Sequence, residues 1–427
     1  MKPSVDELNA INWDFPTSLP GVGTSLHWYP GTFPNALPAT LIEAFTISGA
    51  TVFDPYGGVG TTGFEALRQG RNAILTDANP IATAIAMFSC TLLLAHRISP
   101  VYALSILEEL SLTIAQESSS RQSTLEVLPL RLELVDGGIA GAHLRALNKQ
   151  AQDVLTRCVL DGPDVEALSP WFHKQTLEEL LSLYECLQQP ERSPLLRLSG
   201  LVMISAIARS SSSQTASWGH VADNVFPKEF KYKSVYYQCK RWLAKVGGVL
   251  RDVEHSRVAS DHIGRAAVYQ LNWLHEPSAE MARLADSVDL MITSPPYSSA
   301  IDYILSQRLS HYIFGFSAAN VMRFVGEETG ARRKRFQAAP EEIWATELAT
   351  NLESQLLLLK DDGVICVILP HKDSGRHLGA IAVDTILKDH GWRNIWSGNR
   401  SIRQSRTRQS WTSIQKEVLL VFGGRRY

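Results

Sequence analysis

Apolar positions along this chain follow two rhythms. Short apolar runs bounded by Asp, Gly, Asn or Pro recur near residues 51–54, 73–77, 266–272, 289–293, 363–369, 394–397 and 417–422. Runs of that length between turn residues predict strands of a buried sheet. Between the second and third runs the rhythm changes. From residue 98 to 262 the chain is rich in Leu, Glu, Gln and Ser, and apolar residues return at helical spacing over 102–117, 141–160, 174–188 and 196–209. Gly137-Gly138, Asp161-Gly162-Pro163, Pro190 and Pro194 punctuate that region, and the serines at 210–213 with Trp218-Gly219-His220 predict a loop. The pattern predicts an α/β chain with a sheet interrupted by helices. Its expected parts are a first half over 1–97, a mostly helical insertion over 98–262 and a second half over 263–427.

The first run ends on Asp54 and enters Pro55-Tyr56-Gly57-Gly58-Val59-Gly60-Thr61-Thr62, after which Gly63-Phe64-Glu65-Ala66-Leu67 takes up a helical pattern. Strand, glycine turn and helix in that order form the ligand-facing corner of a nucleotide-binding sheet, where missing Cβ atoms let a ligand reach the backbone. No Lys-Ser/Thr follows the glycines, and an acid stands where a phosphate would be repelled. Asp54 suits a ligand with a cationic amine instead. Asp77 closes the next strand 23 residues later, near the spacing expected of an acid on ribose hydroxyls. An ordinary βαβ turn accounts for the glycines but not for both acids.

The run at 289–293 leads into Ser294-Pro295-Pro296-Tyr297. Each proline fixes φ and removes an N–H, so the turn offers acceptors: the Ser294 side chain and main-chain carbonyls. Tyr297 adds a ring able to stack on a base. Alone, two prolines after a buried strand make a plain strand-ending turn. Together with Asp54 and Asp77 they point to chemistry on a flat, amine-bearing base.

These residues together resemble the DNA amino-methyltransferases, which use S-adenosylmethionine to methylate N4 of cytosine or N6 of adenine. Asp54, Pro55, Gly58, Gly60, Thr61 and Thr62 match the family's Asp-Pro-Phe-x-Gly-x-Gly-Thr-Thr, with Tyr56 replacing Phe, and Asp77-Ala78-Asn79-Pro80 matches its Asp-x-Asn-Pro. His27-Trp28-Tyr29-Pro30-Gly31-Thr32-Phe33-Pro34 resembles the segment that closes over the cofactor's methionine end, with Thr32 where many relatives carry Lys. The resemblance spans roughly residues 27–95 and 265–423. It implies a Rossmann-like seven-stranded methyltransferase sheet split by the insertion. It assigns S-adenosylmethionine to Tyr29, Phe33, Asp54, Pro55, Gly58, Gly60, Thr61, Thr62, Asp77, Asn79 and Asn272, the last standing where relatives place an acid on the adenine amine. It assigns catalysis to Ser294, Pro295, Pro296 and Tyr297. The Ser-Pro-Pro-Tyr form followed by Ser298-Ser299-Ala300-Ile301-Asp302-Tyr303 looks most like the N4-cytosine branch. The implied reaction is methylation of a flipped-out cytosine in double-stranded DNA, with a restriction or phage-defence subunit as a candidate partner. N6-adenine methylation, RNA base methylation and an inactive cofactor-binding subunit are the alternatives.

Composition is that of a large enzyme: 427 residues, 45% hydrophobic and 20% charged. The net charge of −2 requires DNA contact to come from local clusters. Three stand out. Arg332-Arg333-Lys334-Arg335 reads as a loop. Arg393, Arg400, Arg403, Arg406 and Arg408 crowd a segment ending at Trp411. Between Lys228 and Arg241, lysines alternate with Phe230, Tyr232, Tyr236 and Tyr237, a pattern that suits a helix packing its rings inward at least as well as contact with bases. Asp302-Tyr303 is expected on a helix, and Lys416-Glu417 just ahead of the last strand as structural residues. Cys90, Cys158, Cys186, Cys239 and Cys366 lie far apart without a Cys-x-x-Cys pair, and His173, His220, His371 and His377 lack ligand spacing. They predict buried thiols in a reducing cytoplasm and no metal site. The expectation is of neither a signal peptide nor an apolar run of membrane-spanning length.

Overall fold

A computed structural model describes residues 3–15, 19, 21, 26–119, 139–160, 162–214, 219–255, 262–275, 279–371, 377–402 and 415–426. Seven strands form one sheet: β1 (Thr51–Asp54), β2 (Asn72–Asp77), β3 (Ala266–Gln270), β4 (Val288–Thr293), β5 (Leu359–His371), β6 (Arg393–Ser401) and β7 (Lys416–Gly423). Their order is β3-β2-β1-β4-β5-β7-β6. The first five pair in parallel, and β7 runs antiparallel between β5 and β6. Strand order reverses between β1 and β4, which opens a crevice at their carboxyl ends.

Both faces of the sheet are covered, which is why its strands read as continuous apolar runs. Alternate residues enter different cores. Phe53, Met291, Ile365 and Val367 pack with Trp344, Leu348 and Leu352 of helix Pro340–Leu356. Val52, Leu290, Ile292, Val364 and Cys366 join a larger cluster on the other face. That cluster also holds the apolar sides of helices Pro100–Ser119, Ile139–Cys158, Lys174–Leu187 and Pro194–Ser211. The helices inserted between β2 and β3 thus share a core with the sheet.

Helix Pro80–Ile98 lies at that junction, against β2, β3 and the inserted helices, and is buried from Pro80 through His96. Asn79 caps it by accepting the N–H of Ile81, and Pro80 occupies the position where a missing N–H costs nothing. By length and composition it passes as a membrane span, contrary to the expectation of no such run. Yet 89% of its most apolar window is buried inside the protein.

Several local expectations change. The basic aromatic segment is not one helix: the helix is Val235–His255, and the residues before it form a strap. Ser213 and Thr176 satisfy the backbone of Lys231 and Lys233 there, in place of helical bonds. Phe230 and Tyr232 are consequently exposed rather than packed inward, and Tyr237, on the helix itself, is exposed as well. Arg332–Phe336 forms a short 3-10 helix, not a loop, and Lys416 and Glu417 lie within β7. Gly137, Gly138, Trp218, Arg403, Arg406, Arg408 and Trp411 lie outside the described residues.

Because sheet and inserted helices share one apolar cluster, unfolding is expected to be a single transition. Urea titrations followed by far-ultraviolet circular dichroism and by tryptophan fluorescence check this. Two separated midpoints would show that the insertion unfolds independently.

Candidate active site

The crevice between β1 and β4 opens into a cavity with about 990 Å³ of empty space, open solvent at its mouth included. Asp54 stands at the end of β1, and its Oδ2 accepts from Thr62 Oγ1 at 2.6 Å while Oδ1 accepts from the Tyr56 N–H at 3.1 Å. Asp77 ends β2. Its Oδ2 accepts from the N–H of Gly58 at 2.9 Å and its Oδ1 from the N–H of Asn79 at 2.8 Å. Gly58 makes that bond from a left-handed conformation, φ +50. Asp54, Pro55, Gly58, Thr61, Asp77 and Asn79 all line the cavity. Gly60 and Thr62 do not. Gly60 (φ +85) begins helix Thr61–Arg68, and a Cβ there would come 3.0 Å from Ala86 Cα. Its glycine serves helix packing, and Thr62 serves Asp54.

Tyr29 and Phe33 form part of the opposite wall. The Tyr29 hydroxyl accepts from Asn79 Nδ2 at 3.3 Å, and its ring stacks on Tyr303 with centroids 6.1 Å apart. Asn272 lines the cavity just beyond the end of β3, but its amide is committed to the turn. Oδ1 accepts from the Leu274 N–H and Nδ2 donates to the Glu327 carbonyl. Tyr303 begins the one-turn helix Tyr303–Ser306, with Asp302 just ahead of it.

Ser294 and Pro296 line the same cavity; the buried Pro295 and the half-buried Tyr297 adjoin them in the chain without being among its lining residues. The Pro296 carbonyl already accepts from Trp344 Nε1 at 2.7 Å. The Tyr297 hydroxyl donates to Glu417 Oε1 at 2.6 Å and lies 3.2 Å from Ser294 Oγ. Arg400 Nε stands 3.4 Å from the other Glu417 oxygen, and both side chains are buried. Sequence reasoning missed Glu417: it lies 120 residues from Tyr297 in a strand that read as structural. It missed Glu328 too, which lines the cavity and accepts the N–H groups of Tyr303 (2.7 Å) and Ile304 (3.4 Å). No motif marks either residue; only the fold brings them in.

Electrostatics define what the cavity will accept. Burial pushes Asp54 up to about 7, Asp77 to about 6 and Glu328 to about 8, and the neighbouring carboxylates add to the rise at Asp54 and Glu328. Among the described residues, no Lys, Arg or His lines the cavity. Two buried carboxylates, Asp54 and Glu328, and the half-buried Asp77, without a protein counter-charge on the cavity wall, fit a ligand that brings positive charge. Without ligand, these acids favour their protonated forms in the folded state. The stability this adds is complete below the ordinary value near 3.8 for Asp54 and Asp77. It is lost as pH rises through their folded values of about 6 and about 7. Melting temperature of the ligand-free protein is therefore expected to fall across that window, and Asp54→Asn to flatten the fall. An unchanged slope in the variant would remove Asp54 as its source.

Residues 2–88 match a family model described as DNA methylase, N6_N4_Mtase. The match contains Asp54 and Asp77 and ends before the tetrad. No curated protein sequence matches the chain. Among solved structures it is similar to two of the rRNA methyltransferase aviRa from Streptomyces viridochromogenes, at 12% and 11% identity and TM-scores of 0.31 and 0.32. Each alignment covers 94% of this chain and 90% of the other. Likeness at that level carries no argument about substrate. The match of residues 2–88 to the DNA methylase model supports the DNA amino-methyltransferase family for this part of the chain.

Proposed function

We propose that this chain transfers a methyl group from S-adenosylmethionine to the exocyclic N4 amine of cytosine in double-stranded DNA. One observation carries the reading: Ser294 lines the same cavity as Asp54 and Asp77, across the point where strand order reverses. The acidic cavity suits the cofactor, which carries both an ammonium and a sulfonium. In this reading Asp54 receives the amino group, Asp77 the ribose hydroxyls, and the Gly58 backbone allows close approach. Tyr29 and Phe33 cover the methionine end. Bound there, S-adenosylmethionine supplies an electrophilic methyl group.

The chain's own residues do the rest. A cytosine amine is a poor nucleophile because its lone pair is delocalised into the ring. Ser294 Oγ accepts one of its N–H bonds and holds the nitrogen towards the cofactor side of the cavity, so orientation and exclusion of water lower the barrier. The Pro295 carbonyl, not the Pro296 carbonyl taken by Trp344, is the candidate second acceptor. The base must leave the duplex first, which costs a few kcal/mol.

Contact with DNA falls to the cavity mouth. The turn after Gly330 is bonded to the segment following the tetrad: Ser299 N–H donates to the Gly330 carbonyl at 2.9 Å, and Arg332 N–H to the Ile301 carbonyl at 3.2 Å. Arg332 and Lys334 pair with Asp223 and Glu347. Arg335 instead lies 4.5 Å over the ring of Phe336, which is 79% exposed. A cation and an aromatic face beside the tetrad suit phosphate and base contact. The strap bearing Phe230 and Tyr232 is the candidate for target recognition within the insertion. The free cysteines suit a reducing cytoplasm.

Transfer of radiolabelled methyl groups to duplex DNA and to RNA, followed by nucleoside analysis, tests the reading. N4-methylcytosine in DNA is expected. N6-methyladenine would move the target to adenine, and label in RNA alone would overturn the DNA reading. Ser294→Ala combined with Tyr297→Ala should abolish transfer while leaving cofactor binding measurable by calorimetry. Full activity in that variant would sink the tetrad assignment.

A further inference from the structure

We propose that Glu417 is a positioning residue for methyl transfer, setting the direction of a hydrogen-bond chain through Tyr297 that turns Ser294 into an acceptor for the target amine. The inference rests on the function proposed above and concerns a residue that no motif marks.

Proton counting carries it. Tyr297 has one hydroxyl proton, and it points to Glu417 Oε1 at 2.6 Å. An ionised carboxylate has no proton to return, so the direction of that bond is fixed. The 3.2 Å contact between Tyr297 and Ser294 can then be made only with Ser294 as donor. That uses the one proton of Ser294. What its oxygen turns to the cavity is lone pairs.

The consequence is chemical. A free serine hydroxyl rotates and either donates or accepts. Facing a cytosine edge, a donating serine would bind the ring nitrogen beside the amine, whereas an accepting one binds the amine N–H. Glu417 removes the first choice before the base arrives. Arg400 supports this state: its Nε stands 3.4 Å from Glu417 Oε2, with side chains 4% and 10% exposed. A buried carboxylate left alone would take up a proton, and a protonated Glu417 could donate and reverse the chain. Burial does raise Glu417 above the usual carboxylate range, and the adjacent guanidinium and the Tyr297 hydrogen bond oppose that rise in favour of the ionised acceptor. The strand pairing makes the arrangement rigid, since Glu417 lies between Pro370 of β5 and Arg400 of β6 in the sheet.

The test uses the full chain with duplex DNA and labelled S-adenosylmethionine. Glu417→Gln offers Tyr297 an amide that can donate and reverse the chain, and Tyr297→Phe cuts the chain while keeping the ring. Each is expected to lower kcat by about tenfold to a hundredfold, with the Kd for S-adenosylmethionine and the melting temperature near those of wild type. The decisive arm is rescue. Adding Ser294→Asp to Tyr297→Phe supplies an acceptor that needs no chain, and should recover about tenfold in kcat or more. A merely structural Glu417–Tyr297 contact would show no such recovery. Should Glu417→Gln fail to fold, the Tyr297→Phe pair decides by itself. A fully active Glu417→Gln beside an active wild type overturns this inference alone, as does a folded, cofactor-binding rescue variant without recovery. A wild-type chain that methylates no DNA overturns the proposed function and this inference together.

Discussion

The site depends first on the parallel register of three short strands. Val52 and Phe53 of β1 pair with Leu290 and Met291 of β4 on one side and with Ala73 and Ile74 of β2 on the other. That register brings Asp54, Asp77 and Ser294 to one edge of the sheet. It is firmly specified because both faces are buried: a slip of one residue in β1 would exchange Val52 and Phe53 between two packed cores. The helices on both faces are therefore as much a part of the site as the loops that carry its residues.

The same burial that fixes the register makes the site electrostatically costly. Asp54 and Glu328 are removed from water and Asp77 is half-buried, with no cation on the cavity wall among the described residues. Each keeps hydrogen-bond donors, from Thr62, Tyr56, Gly58, Asn79, Tyr303 and Ile304, which hold the carboxylates in position without neutralising them. A ligand with positive charge would thus relieve a cost already present in the folded chain. Glu417 shows the other solution, a buried carboxylate given its own arginine. The two arrangements fit two tasks, one acidic wall open to a cationic ligand and one carboxylate kept as a fixed acceptor.

The helical insertion has a double character. Its apolar faces pack on helix Pro80–Ile98 and join the core cluster that holds Val52 and Leu290, while its strap turns Phe230 and Tyr232 outward. The break comes from Ser213 and Thr176, whose hydroxyls bond the strap's backbone and remove the incentive for it to coil. A charge pattern that reads as an amphipathic helix becomes an exposed ribbon held by Thr176, Glu179 and Ser213 of the insertion.

Much of the fold and half of the site are written in local patterns. Apolar run length marked the central strands most clearly, because a strand buried on both faces must be apolar along its whole length, whereas the edge strand β6 is mostly exposed. Asp54, Gly58, Asp77 and Asn79 were legible because their partners lie within about two dozen residues, so one turn chemistry holds them together. Ser294-Pro295-Pro296-Tyr297 was legible because prolines restrict the backbone by themselves. Other features were decided only in three dimensions. Gly60 turned out to face a helix rather than the cavity, Asn272 spends its amide on a turn, and Tyr297 gives its hydroxyl proton to Glu417. Glu417 and Glu328 join the site from strands and loops far along the chain. The physical reason is common to all of them. A residue type states which bonds it can make, but a buried polar group takes the partner that packing brings within reach, and that is settled by the whole fold.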